Sequence, residues 1–185
     1  MILTGLEIER WIKLGSIKIS DFDRSRLNPN SYNLRLHNEL LVYENDIIDM
    51  KKENPVKRIT IPEDGFIMQP GELYLGRTVE YTETNCMKIN DIVISSIIPI
   101  ISGRSSIGRL GINVHATAGY GDVGFKGTWT LELSCVKPVV IYPNVEICQI
   151  YYTVGTGDVE PDFIYHGKYK DQMDIMDSRL FTEFK

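Results

Sequence analysis

Cysteine is scarce in this chain. Cys86, Cys135 and Cys148 are odd in number and form no CxxC pair. A disulfide framework or a thiolate metal site is therefore not the reading. Each is expected to be a free thiol in a reducing compartment, and the two in apolar strands, Cys135 and Cys148, to be buried small hydrophobes. No apolar run approaches the length of a membrane span, and the opening MILTGLEIERW lacks a signal-peptide pattern. A cytoplasmic protein without a membrane partner is the expectation. Basic excess is missing too: 20 Lys+Arg stand against 25 Asp+Glu, a formal net charge of -5. That argues against a general nucleic-acid grip but not against one nucleotide, for which a few local arginines suffice. Neither GxxxxGK[ST] nor GxGxxG occurs, and the HxE…PCxxC signature of zinc deaminases is absent. His37, His115 and His166 share no metal spacing, so no metal held by protein alone is expected.

Helical patterning is also sparse. Thr4-Gly5-Leu6-Glu7 reads as a capping box, with Leu6, Ile8, Trp11 and Ile12 on a rough apolar face. This predicts one short helix over about 5–13, ending near Gly15. After a brief extended piece at Ile17–Ile19 and a polar loop over 21–30, strands are expected at Ser31–Leu36, Leu40–Tyr43 and Leu73–Val79. The stretch 46–62 reads as an excursion without assigned pairing. The run INDIVISSIIPII, Ile89 to Ile101, favours strand, with an edge, bulge or break at Pro99. Further strands are expected at Ile112–His115, Thr128–Ser134, Val139–Tyr142 and Glu146–Val154. Residues 155–185 lose periodicity and read as an arm. Helices between strands are missing, which excludes a doubly wound sheet. The 185 residues make one domain, mainly β, a sandwich or barrel of jelly-roll type with a short N-terminal helix and a C-terminal arm.

Chemistry concentrates in Ser102–Leu133. Gly103, Gly108, Gly111, Gly119, Gly121, Gly124 and Gly127 let backbone approach a ligand closely. Arg104 and Arg109 flank Ser105-Ser106, either as surface arginines in a turn or as an anion grip, since guanidinium forks match phosphate oxygens. A helical turn over Ser105–Leu110 would offer its first amides to an anion. In Thr128–Ser134, Trp129, Leu131 and Leu133 share one face and Thr128, Thr130 and Glu132 the other. Glu132 is then either a solvated outer carboxylate or one that projects into a pocket. In a partly dry pocket its pKa would rise and suit general acid/base work. Asp122 is a turn residue or the acceptor for a ligand hydroxyl. His115 is a structural histidine or a proton shuttle. Lys168, Tyr169 and Gln172 are a solvated cluster or a lid that folds over a ligand.

The sequence resembles the deoxycytidine triphosphate (dCTP) deaminase family, within the trimeric deoxyuridine triphosphatase (dUTPase) superfamily. The resemblance covers most of the chain. It rests on MILTG, Pro29-Asn30-Ser31 with Leu34-Arg35-Leu36, Gln69-Pro70-Gly71-Glu72, GRSSxGRLG from Gly103, His115-Ala116-Thr117-Ala118-Gly119, Asp122 with Gly124-Phe125, Leu131-Glu132-Leu133, Ile147-Cys148-Gln149, and Lys168-Tyr169-x-x-Gln172. It implies a distorted jelly roll of dUTPase-like type and homotrimers whose active sites are shared between subunits. It implies hydrolytic deamination of dCTP to dUTP and ammonia, with Glu132 activating the water that attacks C4. Ser105 and Arg109 would orient that water and Glu132 or bind substrate. Arg104 and Ser106 would belong to the phosphate-side loop, and the backbone at Ala118 would read the base edge. Asp122 would take the 3'-hydroxyl, while Tyr165, Lys168 and Gln172 would close on the triphosphate. No organic cofactor is implied; Mg2+ would come with the phosphates.

The alternatives are a bifunctional enzyme that goes on to dUMP and pyrophosphate, and a non-catalytic nucleotide-binding trimer. Plain dUTPase fits less well, because the tyrosine-bearing motif around its catalytic aspartate is not seen in that form. Two departures stand out. Gly121 falls where many relatives carry an apolar residue such as isoleucine, and the ending MDIMDSRLFTEFK lacks the usual glycine- and threonine-rich close.

Overall fold

The structure is a computed structural model; it describes residues 1–85, 87–89, 92–115, 117–157 and 164–184. Cys86, two positions of the expected Ile89–Ile101 run and part of the expected arm lie outside those residues. Helix α1, Gly5–Lys13, is capped by Thr4, whose Oγ1 accepts from the Glu7 amide at 3.4 Å. The reciprocal half of the capping box is replaced. The Glu7 carboxylate accepts instead from Trp11 Nε1 at 3.0 Å and from Arg10 at 3.3 Å. Leu6 also departs from the expected face: Ile8 is fully buried, and Leu6 is exposed.

Two sheets face each other. The first runs β2 (Tyr32–Arg35), β14 (Glu146–Gly155), β9 (Ile92–Gly103), β8 (Met87–Ile89). The second runs β10 (Ile112–Val114), β12 (Thr130–Cys135), β6 (Tyr74–Arg77), β3 (Glu39–Tyr43), β4 (Val56–Thr60). A three-stranded group, β1 (Ile17–Ile19), β7 (Thr82–Thr84) and β11 (Lys126–Gly127), and a ribbon of β5 (Phe66–Met68) with β13 (Val139–Ile141), complete the fold. All described pairs of named strands are antiparallel, and one apolar cluster fills the space between the sheets. Leu34, Ile101, Ile150 and Tyr152 enter it from the first sheet; Leu40, Ile112, Leu131 and Leu133 enter from the second. This is the distorted jelly roll that the alternating short runs require. The excursion over 46–62 resolves into β4, which pairs along the whole of β3.

Pro99 neither breaks nor bulges its strand. β9 runs unbroken through it, opposite Tyr152 of β14. Strand β8 covers the other edge only over residues 92–95. Beyond it the loop at 119–121 takes over: Ile101 N donates to the Gly119 carbonyl at 2.7 Å and Gly121 N to the Pro99 carbonyl at 2.9 Å. Proline's missing N–H is thus placed where no neighbouring strand asks for it.

One buried charge cluster braces the sandwich. Glu80, fully buried, accepts from Arg35 Nε at 2.7 Å and Arg35 N at 2.8 Å, and pairs with Arg26. Cys135 and Cys148 are buried free thiols, as expected, and burial pushes the Cys148 thiol far above its ordinary range. Among the described residues no helix is long and apolar enough to cross a membrane.

Candidate active site

The alternation of β12 sets the site. Leu131 and Leu133 are fully buried, while Thr130, Glu132 and Ser134 turn the other way and line a cleft of about 650 Å³, within the usual range for small-molecule sites. Thr128 is the exception on that face and is buried. Of the two readings of Glu132, the pocket reading holds.

His115 directly follows β10 with a φ of 54°, in the left-handed region that few non-glycine residues adopt. Its N–H donates to the Glu132 carbonyl at 3.0 Å, and its Nδ1 accepts from the Glu132 N–H at 3.4 Å. Burial lowers the His115 pKa, with the Glu132 charge opposing the shift. The imidazole is therefore held neutral, with Nδ1 as acceptor, and fixes the backbone that carries Glu132. The loop beyond it is tied to β9. At Gly119 a Cβ would lie 2.3 Å from the Ile101 carbonyl oxygen, so only glycine fits this approach.

Asp122 is the turn residue of the first reading, and it also lines the cleft. Its carbonyl accepts from Phe125 N at 3.1 Å, closing the turn. Phe125 and Trp129 lie 4.3 Å apart between their ring centroids and form an aromatic floor. Tyr165 extends it, 6.0 Å from Phe125, and its N–H donates to the Val123 carbonyl.

The tail closes one side of the cleft. Gln172 is buried; its Nε2 donates to the Thr128 carbonyl and to Thr130 Oγ1, while its Oε1 has no partner among the described residues. Met176 N donates to Thr130 Oγ1 at 3.2 Å and Ser178 N to the Tyr43 hydroxyl at 3.1 Å. Ile175 packs into a small cluster with Leu41 and Leu75, and Asp174 takes both guanidinium nitrogens of Arg58, at 2.8 and 3.1 Å. The arm is therefore a docked strap along residues 172–178. It ends in a 3-10 turn, Leu180–Phe184, whose Glu183 pairs with Lys168.

Of the residues singled out in the sequence, the fold brings Glu132, His115, Ala118, Asp122, Tyr165, Tyr169 and Gln172 to this cleft. It leaves Arg104, Ser105, Ser106, Arg109 and Lys168 outside it. Helix α2, Ser105–Arg109, stands on the surface, with Ser105, Ser106 and Arg109 exposed. Arg104 is engaged with Glu146, at 3.0 Å to the carboxylate and 2.8 Å to the carbonyl. Sequence reasoning did not single out Tyr43, Tyr120, Met176, Asp177 or Ser178, which also line the cleft. It placed Trp129 in the core only, although that ring is buried and faces the cleft as well.

A mainly β fold whose core strand presents one carboxylate to an aromatic-floored cleft, strapped by its own C-terminal arm, offers a candidate small-molecule site. A profile of the dCTP deaminase-like family matches residues 2–154. This chain belongs to that family. It is 52% identical over 185 residues to a protein of Hathewaya histolytica named "dCTP deaminase, dUMP-forming", covering all of both chains. It is 54% identical over 186 residues to proteins of the same name from Clostridium beijerinckii and Cytophaga hutchinsonii, covering 100% of this chain and 99% of each of theirs. Among solved structures it is similar to 2'-deoxycytidine 5'-triphosphate deaminase from Agrobacterium tumefaciens, with a TM-score of 0.61 and 19% identity. That alignment spans 83% of this chain and 48% of the other. The curated relatives' names carry dUMP, the product of the bifunctional alternative, and not dUTP, the product first expected.

Proposed function

We propose that this chain converts dCTP to dUMP, releasing ammonia and pyrophosphate, in a site completed by a second copy of itself. The observation that carries the chemistry is the placement of Glu132 in the cleft, on a strand whose backbone His115 fixes. The Glu132 carboxylate takes a proton from a water that adds at C4 of cytosine and returns it as the adduct collapses. The C4–N bond breaks, ammonia leaves, and a uracil remains. A second water then attacks phosphorus so that dUMP and pyrophosphate separate. The full-length similarity to relatives named dUMP-forming supports this second step.

The electrostatics of one chain are wrong for a triphosphate. Asp122, Glu132 and Asp177 line the cleft, and among the described lining residues there is no lysine or arginine. A second copy that presents α2 would supply Arg109 and the Ser105 and Ser106 hydroxyls from an exposed surface already free to reach it. A homotrimer with shared sites is the closed arrangement the resemblance suggests. Asp177 is the carboxylate available to a Mg2+ that enters on the phosphates; such a hard cation takes oxygen ligands and, when bound, offsets phosphate charge. Asp122 takes the 3'-hydroxyl, and Tyr165 together with the strap along residues 172–178 keeps water out.

Ammonia release from dCTP tests the reading. Wild type should release it, and Glu132→Gln should bind dCTP while losing roughly 10²- to 10⁴-fold in rate. Normal turnover by that variant would show that Glu132 does not carry the proton.

A further inference from the structure

The ladder between β9 and β14 ends at Gly103, opposite Cys148. The next residue, Arg104, opens α2 as its N-cap, and its side chain makes no capping bond there. The guanidinium turns back onto β14 instead. Its Nη1 donates to the Glu146 carbonyl at 2.8 Å and lies 3.0 Å from the Glu146 carboxylate. The register of β14 against β2 shifts at this point, between Glu146 and Cys148, an irregularity of the kind that re-aims side chains. The two side chains are 32% and 30% exposed, so water and a ligand can both reach the pair.

The carboxylate does not depend on Arg104 for its place. The same oxygen, Oε2, accepts from Asn33 Nδ2 at 2.9 Å, and Asn33 Oδ1 accepts from Asn28 Nδ2 at 2.8 Å. The backbone before Arg104 is held as well: Gln149 Nε2 donates to the Gly103 carbonyl at 3.3 Å, while its Oε1 accepts from Ser31. Lys168 makes the opposite case. Its partner Glu183 sits on the exposed turn at residues 180–184, and no other group among the described residues holds that carboxylate. A tethered carboxylate competes with a ligand for its cation; an untethered one moves with the cation.

We propose that Glu146 is a built-in counter-anion that weakens the phosphate grip of the loop opening α2, so that dUMP and pyrophosphate leave. The inference rests on the reading above, in which α2 meets the phosphates, and adds to it a residue outside the cleft. A phosphate that approaches Arg104 meets a cation whose charge a fixed carboxylate already balances. Substrate and products are weakened alike. Such uniform weakening raises KM without touching the chemical step, and a product held less tightly is released sooner.

The test measures binding of inorganic pyrophosphate to the full-length protein by calorimetry at low salt, and binding of dCTP in a Glu132→Gln background. Glu146→Gln keeps the shape and an acceptor for Asn33 but removes the charge. It should bind both ligands about 2- to 5-fold more tightly, the range of one partly exposed ion pair. The gain should shrink in high salt and vanish when Arg104→Ala is added. Pyrophosphate should also inhibit ammonia release more strongly in Glu146→Gln. Glu183→Gln removes the same unit of charge elsewhere and should change both affinities by less than about 2-fold. Weaker binding by Glu146→Gln would show that the carboxylate orients Arg104 for the ligand and would overturn the proposal. An equal gain in Glu183→Gln, or a gain that survives Arg104→Ala, would overturn it too. If wild type releases no ammonia from dCTP, the proposed reaction fails, but the pyrophosphate affinities still decide the role of Glu146, because they need the cation and not the chemistry. Pyrophosphate bound by neither wild type nor Glu146→Gln refutes it.

Discussion

Glu80→Gln should cost this protein far more than a surface charge does. The wild-type carboxylate is fully buried and holds two arginines at once, with Arg26 nearly as buried as itself and Arg35 about one quarter exposed. It also accepts the Arg35 backbone N–H at 2.8 Å. The amide keeps the shape but removes the negative charge, so two guanidinium groups lose the one carboxylate paired with each among the described residues. Breaking a buried pair in this way costs about 3–5 kcal/mol. The partial exposure of Arg35 lets water screen part of the loss and places the expectation near ~3 kcal/mol. At about 2–4 °C per kcal/mol for a domain of this size, the melting temperature should fall by roughly 6–12 °C. Thermal and urea melts at one protein concentration would measure it, since association shifts apparent stability. A loss under about 1 kcal/mol, the range of exposed pairs, would mean that water reaches the cluster and that it does not brace the sandwich.

The pH dependence follows from two partly buried histidines. Burial lowers the pKa of both His37 and His115. Each therefore adds stability that is present above the unfolded value of about 6.5 and is lost as pH falls through the lower folded value. Melts from pH 7.5 to 5 should show that decline, and His115→Asn should flatten part of it; an unchanged slope would show that His115 is not held neutral. Asp174→Asn removes the Arg58 clamp from the strap. Both groups are largely exposed, so global stability should change by less than about 1 kcal/mol while trypsin cuts faster at Lys168 and Lys170. Equal cleavage rates would show that the strap is held elsewhere. Arg109→Ala and Glu132→Gln should each be inactive alone yet regain part of the activity when unfolded and refolded together. No recovery in a correctly assembled mixture would contradict a site shared between copies.

What the sequence discloses is faces, and what it conceals is partners. Period two in Trp129–Leu133 assigns Glu132 to the side away from the core, and the structure turns that side into the cleft. The same periodicity could not say that Trp129, on the core side, also lines the cleft, because a pattern assigns a residue to one face only. β4 was hidden for a different reason: Val56–Thr60 mixes lysine and arginine with apolar residues, and its place is fixed by pairing with β3 and not by its own pattern. The strap was illegible because single residues dock it. Gln172 and Ile175 are buried without a repeat, and the Asp174 contact needs Arg58, 116 positions away. The separation of α2 from Glu132 is likewise a property of topology. The glycine-rich stretch is continuous in sequence, yet β10 and the loop at 117–122 carry its second half to another face.

The most direct test of the central claim is the product balance from dCTP in one time course with Mg2+. Ammonia, pyrophosphate and dUMP should appear in equal amounts with no build-up of dUTP. Ammonia with accumulating dUTP and no pyrophosphate would contradict the claim and return the protein to a deaminase alone.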